Sequence, residues 1–168
     1  RICGIEAARW AVLAGNFVDS KTANALGILT HLVEPAEVSQ TVEAIAASGK
    51  PANKYPGTPR DTEHPVAAFA NAFYSDDNIS GLLNGSCPDG FDVEDRNVSR
   101  QLKSLSRVAP IALRMANELL DCAVETGDDL DAGLALELSN LNDIFNTADA
   151  LEGLSALIEG RRPTYTNS

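Results

Sequence analysis

Two histidines, three cysteines, three acidic clusters and one pair of adjacent arginines are the groups with which this sequence could do chemistry. A hydrolytic triad needs a histidine within reach of a nucleophile presented on a sharp turn. His31 lies in a β-branched apolar run and His64 precedes Pro65; neither has a nucleophile signature beside it, and no G-x-S-x-G is present. The plain reading is one strand histidine and one loop histidine. Cys3, Cys87 and Cys122 form no C-x-x-C pair, and with two distant histidines they make no four-ligand zinc pattern. Cys122 reads as a small hydrophobe on an apolar helix face. Cys87 lies in a turn with no neighbouring cation to activate its thiol. The acidic clusters at Asp76-Asp77, 89–95 and 128–131 lack the alternating ligands and distal Glu of a calcium loop. They fall at helix starts and turns, where Asp caps, and no metal site is expected. The glycines spell neither G-x-G-x-x-G nor a P-loop. Arg161-Arg162, directly after a helix, reverses the sign of an acidic chain. Two cations could satisfy a helix C-terminus, or their planar forks could hold a phosphate.

The elements that must position these groups are mostly helices. Residues 5–14 have Ile5, Ala8, Val12 and Leu13 on one helical face, and Gly15-Asn16 stops them. Ser20 is placed to cap a short helix over 21–26 that ends at Gly27. Residues 28–33 are β-branched and apolar and predict a strand. A lone strand forms no sheet, so it must pair outside this chain or lie as an extended connector. Glu34-Pro35 opens a helix with Val38, Val42 and Ile45 on one face. Residues 49–60 are loop or linker. Helices are expected over 64–74 and 78–83, and turn chemistry over 84–91. Further on, Val98, Leu102 and Leu105 form a stripe. Pro110 starts a helix with Ile111, Met115, Leu119, Cys122 and Ala123 on one face. Gly127-Asp128-Asp129 is a turn and N-cap. Leu130, Leu134, Leu138, Leu141 and Phe145 make the cleanest amphipathic pattern in the chain. Thr147 caps a last helix carrying Leu151, Leu154 and Ile158. The expected fold is mainly α with at most one or two short strands. It divides into 1–48 (helix, helix, strand, helix), a linker or insertion with short helices over 49–92, and a helical region over 93–168.

Length and composition bound the function. At 168 residues with 44% hydrophobic and 22% charged residues, the chain suits one domain, and whole-chain disorder is excluded. Aromatic residues are only 5%, so Ala, Leu, Ile and Val must build the core. Lys and Arg number 13 against 24 Asp and Glu, a net charge of −11. That balance argues against nucleic-acid binding and against an anionic membrane surface. No apolar run approaches the roughly 20 residues of a membrane span. The opening Arg1-Ile2-Cys3-Gly4 lacks the pattern of a signal peptide, and the chain is expected to open in the middle of something. Three scattered cysteines suit a reducing compartment, and a cytoplasmic location is expected. The N-x-S matches at Asn78, Asn84 and Asn97 are then chance.

Several stretches resemble one family. Residues 4–11 followed by 15–35, GNFVDSKTANALGILTHLVEP, are similar to the crotonase (enoyl-CoA hydratase/isomerase) segment in which a helix leads into "TG…da..A...GLV..vvp". Residues 109–114, APIALR, resemble its "SP.ALR". Residues 145–163, FNTADALEGLSALIEGRRP, resemble its closing "F.T.DA.EG..AF.EKR.P". The likeness covers most of the chain except 49 to about 98. The long intervening stretch and the "EGRRP" ending look like the hydratase half of fused 3-hydroxyacyl-CoA dehydrogenase/enoyl-CoA hydratase proteins. A similar insertion occurs in the 3-hydroxyisobutyryl-CoA hydrolase branch, which is the alternative.

The resemblance implies the C-terminal part of a crotonase fold, with the β-rich core, the oxyanion amides and the acidic catalytic residues upstream. Arg1 looks like the arginine that follows the family's second catalytic loop. The implied chemistry is addition of water to an enoyl thioester, with two carboxyl groups moving protons and an oxyanion hole stabilising the enolate. No catalytic residue is assigned within 1–168. The implied substrate is a coenzyme A thioester; no cofactor is bound by this chain, and NAD enters only with a fused dehydrogenase. The family's C-terminal helices mediate self-association, as trimers or hexamers, and cover the CoA end of the site. The family's aromatic falls on Leu157 and its lysine on Gly160, both departures. Arg161 and Arg162 match basic positions and, with Leu157, are the candidate substrate contacts, the arginines toward a CoA phosphate. A reading from another class is a self-standing helical association module without catalytic duty.

Overall fold

The termini of the helices are written locally in the sequence. The structure, a computed structural model, describes residues 2–49, 59–127 and 129–168. Arg1, most of the linker expected over 49–60, and Asp128 of the expected turn lie outside the described residues. Nine α-helices follow among the rest: α1 (Ile5–Val12), α2 (Ser20–Ala25), α3 (Val38–Ser48), α4 (Pro65–Phe73), α5 (Asp76–Leu83), α6 (Arg96–Leu105), α7 (Pro110–Glu125), α8 (Leu130–Phe145) and α9 (Ala148–Glu159). A 3-10 turn, Pro35–Glu37, leads into α3. Prolines open α4 and α7, where a missing N–H costs nothing. Asp95, Asp129 and Thr147 cap α6, α8 and α9 by accepting backbone N–H groups at 2.9–3.0 Å. For α2 the cap is Asp19, whose carboxyl accepts from the Thr22 N–H at 2.8 Å and is held below its ordinary pKa chiefly by that bond; Ser20 is the first helical residue.

The expected strand over 28–33 does not form. Among the described residues there is no strand at all, and Ile28 and Leu32 stand exposed. β-branched residues favour an extended backbone, but without a neighbouring strand no ladder can pair their N–H and C=O groups. The stretch is a connector without regular structure, bent at Thr30, that runs from Gly27, in the left-handed region at φ 73°, to Pro35.

The core is built by α1, α4, α5, α6 and α7. Trp10 and Leu13 meet Ala70, Phe73, Tyr74, Leu82, Val98, Leu105 and Leu113. Phe73 stacks on Phe69 with ring centres 5.0 Å apart, and Phe91 sits edge-on to it at 4.9 Å. α4 and α5, in the stretch read as an insertion, therefore supply a large share of the buried area. The face of α1 differs from expectation. Ala7, Arg9 and Trp10 are buried, whereas Val12 is exposed. Six of its eight residues are apolar, and the face turned inward is the one that carries the Trp10 indole. α7 lies between the core, which it meets with Leu113 and Asn117, and α8. No residue of α3 or α8 is buried.

Candidate functional site

The candidate residues cluster where the chain leaves α9. Gly160, at φ 67° and ψ 23°, takes the left-handed turn that closes the helix, and the Arg161 N–H donates to the Ala156 carbonyl at 3.0 Å. The tail then runs back along α9. Tyr165 crosses Gly153, where an added Cβ would lie 3.3 Å from the phenolic oxygen. Asp149, fully buried, accepts from the backbone N–H groups of Thr166 at 2.7 Å and Asn167 at 2.9 Å. Arg114 donates to the Asn167 side chain.

Arg161 is fully engaged. Its two terminal nitrogens fork onto Glu152 at 2.6 and 2.8 Å, and its Nε donates to Glu159 at 2.5 Å. The Thr164 N–H adds a bond to Glu152 at 2.7 Å. The Arg161 bonds and then the Thr164 N–H hold the Glu152 carboxyl down at about 2, and the same carboxylates raise the Arg161 pKa. The guanidinium thus pins the tail to α9 instead of meeting the helix carbonyls; Gly160 and the backbone do that.

Arg162 points elsewhere. With Lys103, Ser106, Arg107, Pro163 and Tyr165 it lines a cleft of about 580 Å³ between the end of α6 and the tail. None of these three cations has a carboxylate partner among the described residues. Leu157 is 78% exposed and lines no part of this cleft. The structure therefore gives the three candidates three different settings: Arg161 tied to acids, Arg162 in a cationic cleft, and Leu157 in solvent.

The other chemistry-bearing groups have structural duties. The His64 ring accepts from the Val66 N–H at 3.3 Å at the start of α4, and His31 is exposed with Nδ1 3.0 Å from Thr30 Oγ1. All three cysteines are free thiols. Asp92 and Asp95 accept from backbone N–H groups at the head of α6. Among the described residues no cluster of His, Cys, Asp and Glu could hold a metal ion, and no helix is long and apolar enough to cross a membrane.

Comparison with known proteins adds one finding. A stretch of 88 residues, 52% of the chain, is 35% identical to a curated protein of Arabidopsis thaliana named "Probable enoyl-CoA hydratase 2, mitochondrial". The match supports a relation to the crotonase family. It spans only 28% of that relative's length. No protein-family model matches the chain, and no solved structure matches it.

Two polar clusters were not legible from sequence. Arg9 is 2% exposed and donates to Asn117 Oδ1 at 3.0 Å, the Tyr74 carbonyl at 3.1 Å, Asp76 at 2.7 Å and Asp121 at 2.8 Å. It ties α1 to the α4–α5 junction and to α7. Gln101 accepts from the Tyr74 hydroxyl at 2.9 Å and the Asn16 amide at 2.7 Å. These partners lie 27 to 112 residues apart, beyond any local pattern.

Proposed function

We propose that the chain is the C-terminal helical region of a crotonase-type acyl-CoA enzyme, an enoyl-CoA hydratase of fatty-acid β-oxidation whose catalytic core is encoded ahead of residue 1. The 88-residue match to a protein named as an enoyl-CoA hydratase carries this reading. The closing pattern over 145–163 supports it. Asp76 and Asp121 hold Arg9, Glu152 and Glu159 hold Arg161, and Asp149 holds the tail, so these five carboxylates serve architecture.

In this reading the helical region packs against the core, takes part in trimer or hexamer formation, and covers the CoA end of the site. The chain binds no cofactor of its own. NAD belongs to a fused 3-hydroxyacyl-CoA dehydrogenase, which the long stretch between the two crotonase-like segments suggests. The exposed leucines of α8 and α9 favour a second reading, a non-catalytic association module.

The test uses the protein encoded with its upstream sequence and crotonyl-CoA as substrate. The expected result is loss of enoyl absorbance without release of free thiol. Thiol release from 3-hydroxyisobutyryl-CoA instead would assign the hydrolase chemistry. An inactive longer protein that still associates would favour the module. The 168-residue chain alone should hydrate nothing, and activity from it would overturn the proposal.

A further inference from the structure

The tail after α9 carries the one adjacent pair of basic residues in the sequence, and a threonine follows it: Arg161-Arg162-Pro163-Thr164. Two arginines set three and two residues before a hydroxyl are a pattern that an acidic substrate groove can read, since each guanidinium offers a planar fork to a carboxylate. The structure singles out this hydroxyl among its neighbours. Thr164 is exposed and lies in a stretch without regular structure, a form of backbone that can be drawn into a groove. Its hydroxyl has no hydrogen-bond partner among the described residues, whereas Thr166 Oγ1 is bonded to Asp149 and Ser168. Tyr165 lays its phenol against Gly153. Ser99, with Arg96 three residues before it, has one arginine only and is fixed inside α6. The surroundings also make Thr164 a sensitive place for charge. Its N–H donates to Glu152 at 2.7 Å, and Glu152 is the carboxylate on which Arg161 forks. Glu159 shares the same guanidinium. These bonds latch the start of the tail to α9, and Asp149 holds the stretch beyond them.

We infer that Thr164 is a phosphorylation site for an arginine-directed, ATP-dependent protein kinase, and that its phosphate unlatches the tail from α9. In the transfer, Thr164 Oγ1 forms a bond to the γ-phosphorus of ATP and the bond from that phosphorus to the β,γ-bridging oxygen breaks. ADP leaves, and the hydroxyl proton passes to the base of the kinase. The product places a charge of about −1.5 to −2 beside Glu152 and Glu159, where like charges repel. Its three oxygens also offer Arg161 a stronger acceptor than the carboxylate it now holds. Both effects act against the Arg161–Glu152 fork and the Thr164 N–H bond. Every bond of this latch is exposed, so opening it leaves the core intact. Tyr165 then leaves the apolar cleft that it lines with Ile111, Ile144 and Leu154, and the cleft is uncovered. The site needs no assignment of a reaction to the chain and stands apart from the hydratase reading.

The test incubates the 168-residue chain with ATP and the catalytic subunit of cyclic-AMP-dependent protein kinase, an arginine-directed enzyme, and maps the product by tandem mass spectrometry. One phosphoryl group is expected, on Thr164. Thr164→Val should take up none. Arg162→Gln should slow the transfer about ten-fold or more, the effect of losing one charge-assisted hydrogen bond to the kinase. Arg100→Gln removes the same charge from α6, away from the tail, and should change the rate less than about two-fold. The three side chains replaced are exposed, so matching far-UV circular dichroism is expected for each variant. Hydrogen exchange then compares the phosphorylated and unmodified chains. The amides of Thr164, Thr166 and Asn167 should exchange about ten-fold faster with the phosphate in place, while those of α4 and α6 should not change. No incorporation, a phosphate on Ser99 or another residue instead, an Arg162→Gln rate equal to that of the parent chain, or tail exchange that the phosphate leaves unchanged or slows would overturn the inference. None of those outcomes bears on hydration of crotonyl-CoA, which has its own assay.

Discussion

At the scale of single residues, the consequential groups are two arginines with opposite exposures. Arg9 is buried while its acidic partners are wet, with 81% of the Asp76 side chain and 44% of the Asp121 side chain exposed. Removing the guanidinium leaves the Tyr74 carbonyl and Asn117 without their donor, but leaves both carboxylates in contact with water. Arg9→Ala should therefore cost about 2–4 kcal/mol, less than the fullest penalty for a buried charge stripped of its partner. Urea unfolding measures it, and a loss below about 1 kcal/mol would mean that the network adds nothing net. Arg161 is exposed, and its bond to Glu152 carries a pH signature. Folding lowers the Glu152 pKa from 4.5 to about 2, so between those values the unfolded chain binds the extra proton. The contribution is complete above about pH 4.5 and is lost as pH falls towards 2. Glu152→Gln should thus be less stable than the parent chain at pH 7 and indistinguishable from it near pH 2. A deficit of the same size at both pH values would show that the carboxylate's charge is not what Arg161 recognises.

At the scale of elements, what the sequence revealed follows from how local each determinant is. Caps and breakers act over three or four residues, so Thr147 and Pro110 marked their helix starts correctly. Residues 28–33 were misread because β-branching reports a backbone preference, while a strand also needs a neighbour that no local pattern supplies. The burial of Arg9 and the meeting of Arg162 with Lys103 and Arg107 depend on packing between distant segments, which no local pattern reports. The stripe on α8 shows the same limit from the other side. Leu130, Leu134, Leu138, Leu141 and Phe145 share a helix face as their period requires, yet all five are exposed. Periodicity says that a face is to be covered, not by what. Leu138, 67% exposed, consequently has little to lose in this chain by itself. Leu138→Ala should cost under about 1 kcal/mol there, against about 2–5 kcal/mol for a buried leucine. Asp149→Ala should cost more, about 1–3 kcal/mol, because two backbone N–H groups of the tail lose their acceptor. If thermal unfolding reverses that order, the α8 face is covered within the chain and the tail is not anchored by Asp149.

At the scale of the whole molecule, several helix faces remain uncovered. Many of the exposed apolar residues lie along α8, along α9 with Leu154, Leu157 and Ile158, and along α3 with Val38, Val42 and Ile45; others, Val12 and Phe17 among them, lie elsewhere. Contiguous apolar faces of this kind are covered in functional proteins by another polypeptide surface. For the chain alone in water, the available surface of that chemistry is a second copy of itself. Sedimentation equilibrium should accordingly give a weight-average mass that rises with concentration above 17.8 kDa. The double variant Leu138→Asp with Leu157→Asp, placing charge on two exposed positions, should return it to the monomer with its helix content unchanged. If covering the faces is the cause, association should weaken little in salt, because burial of apolar surface is not screened as exposed charges are. A mass fixed at 17.8 kDa at every concentration would mean that these faces do not pair with one another, and their cover would have to come from a different surface.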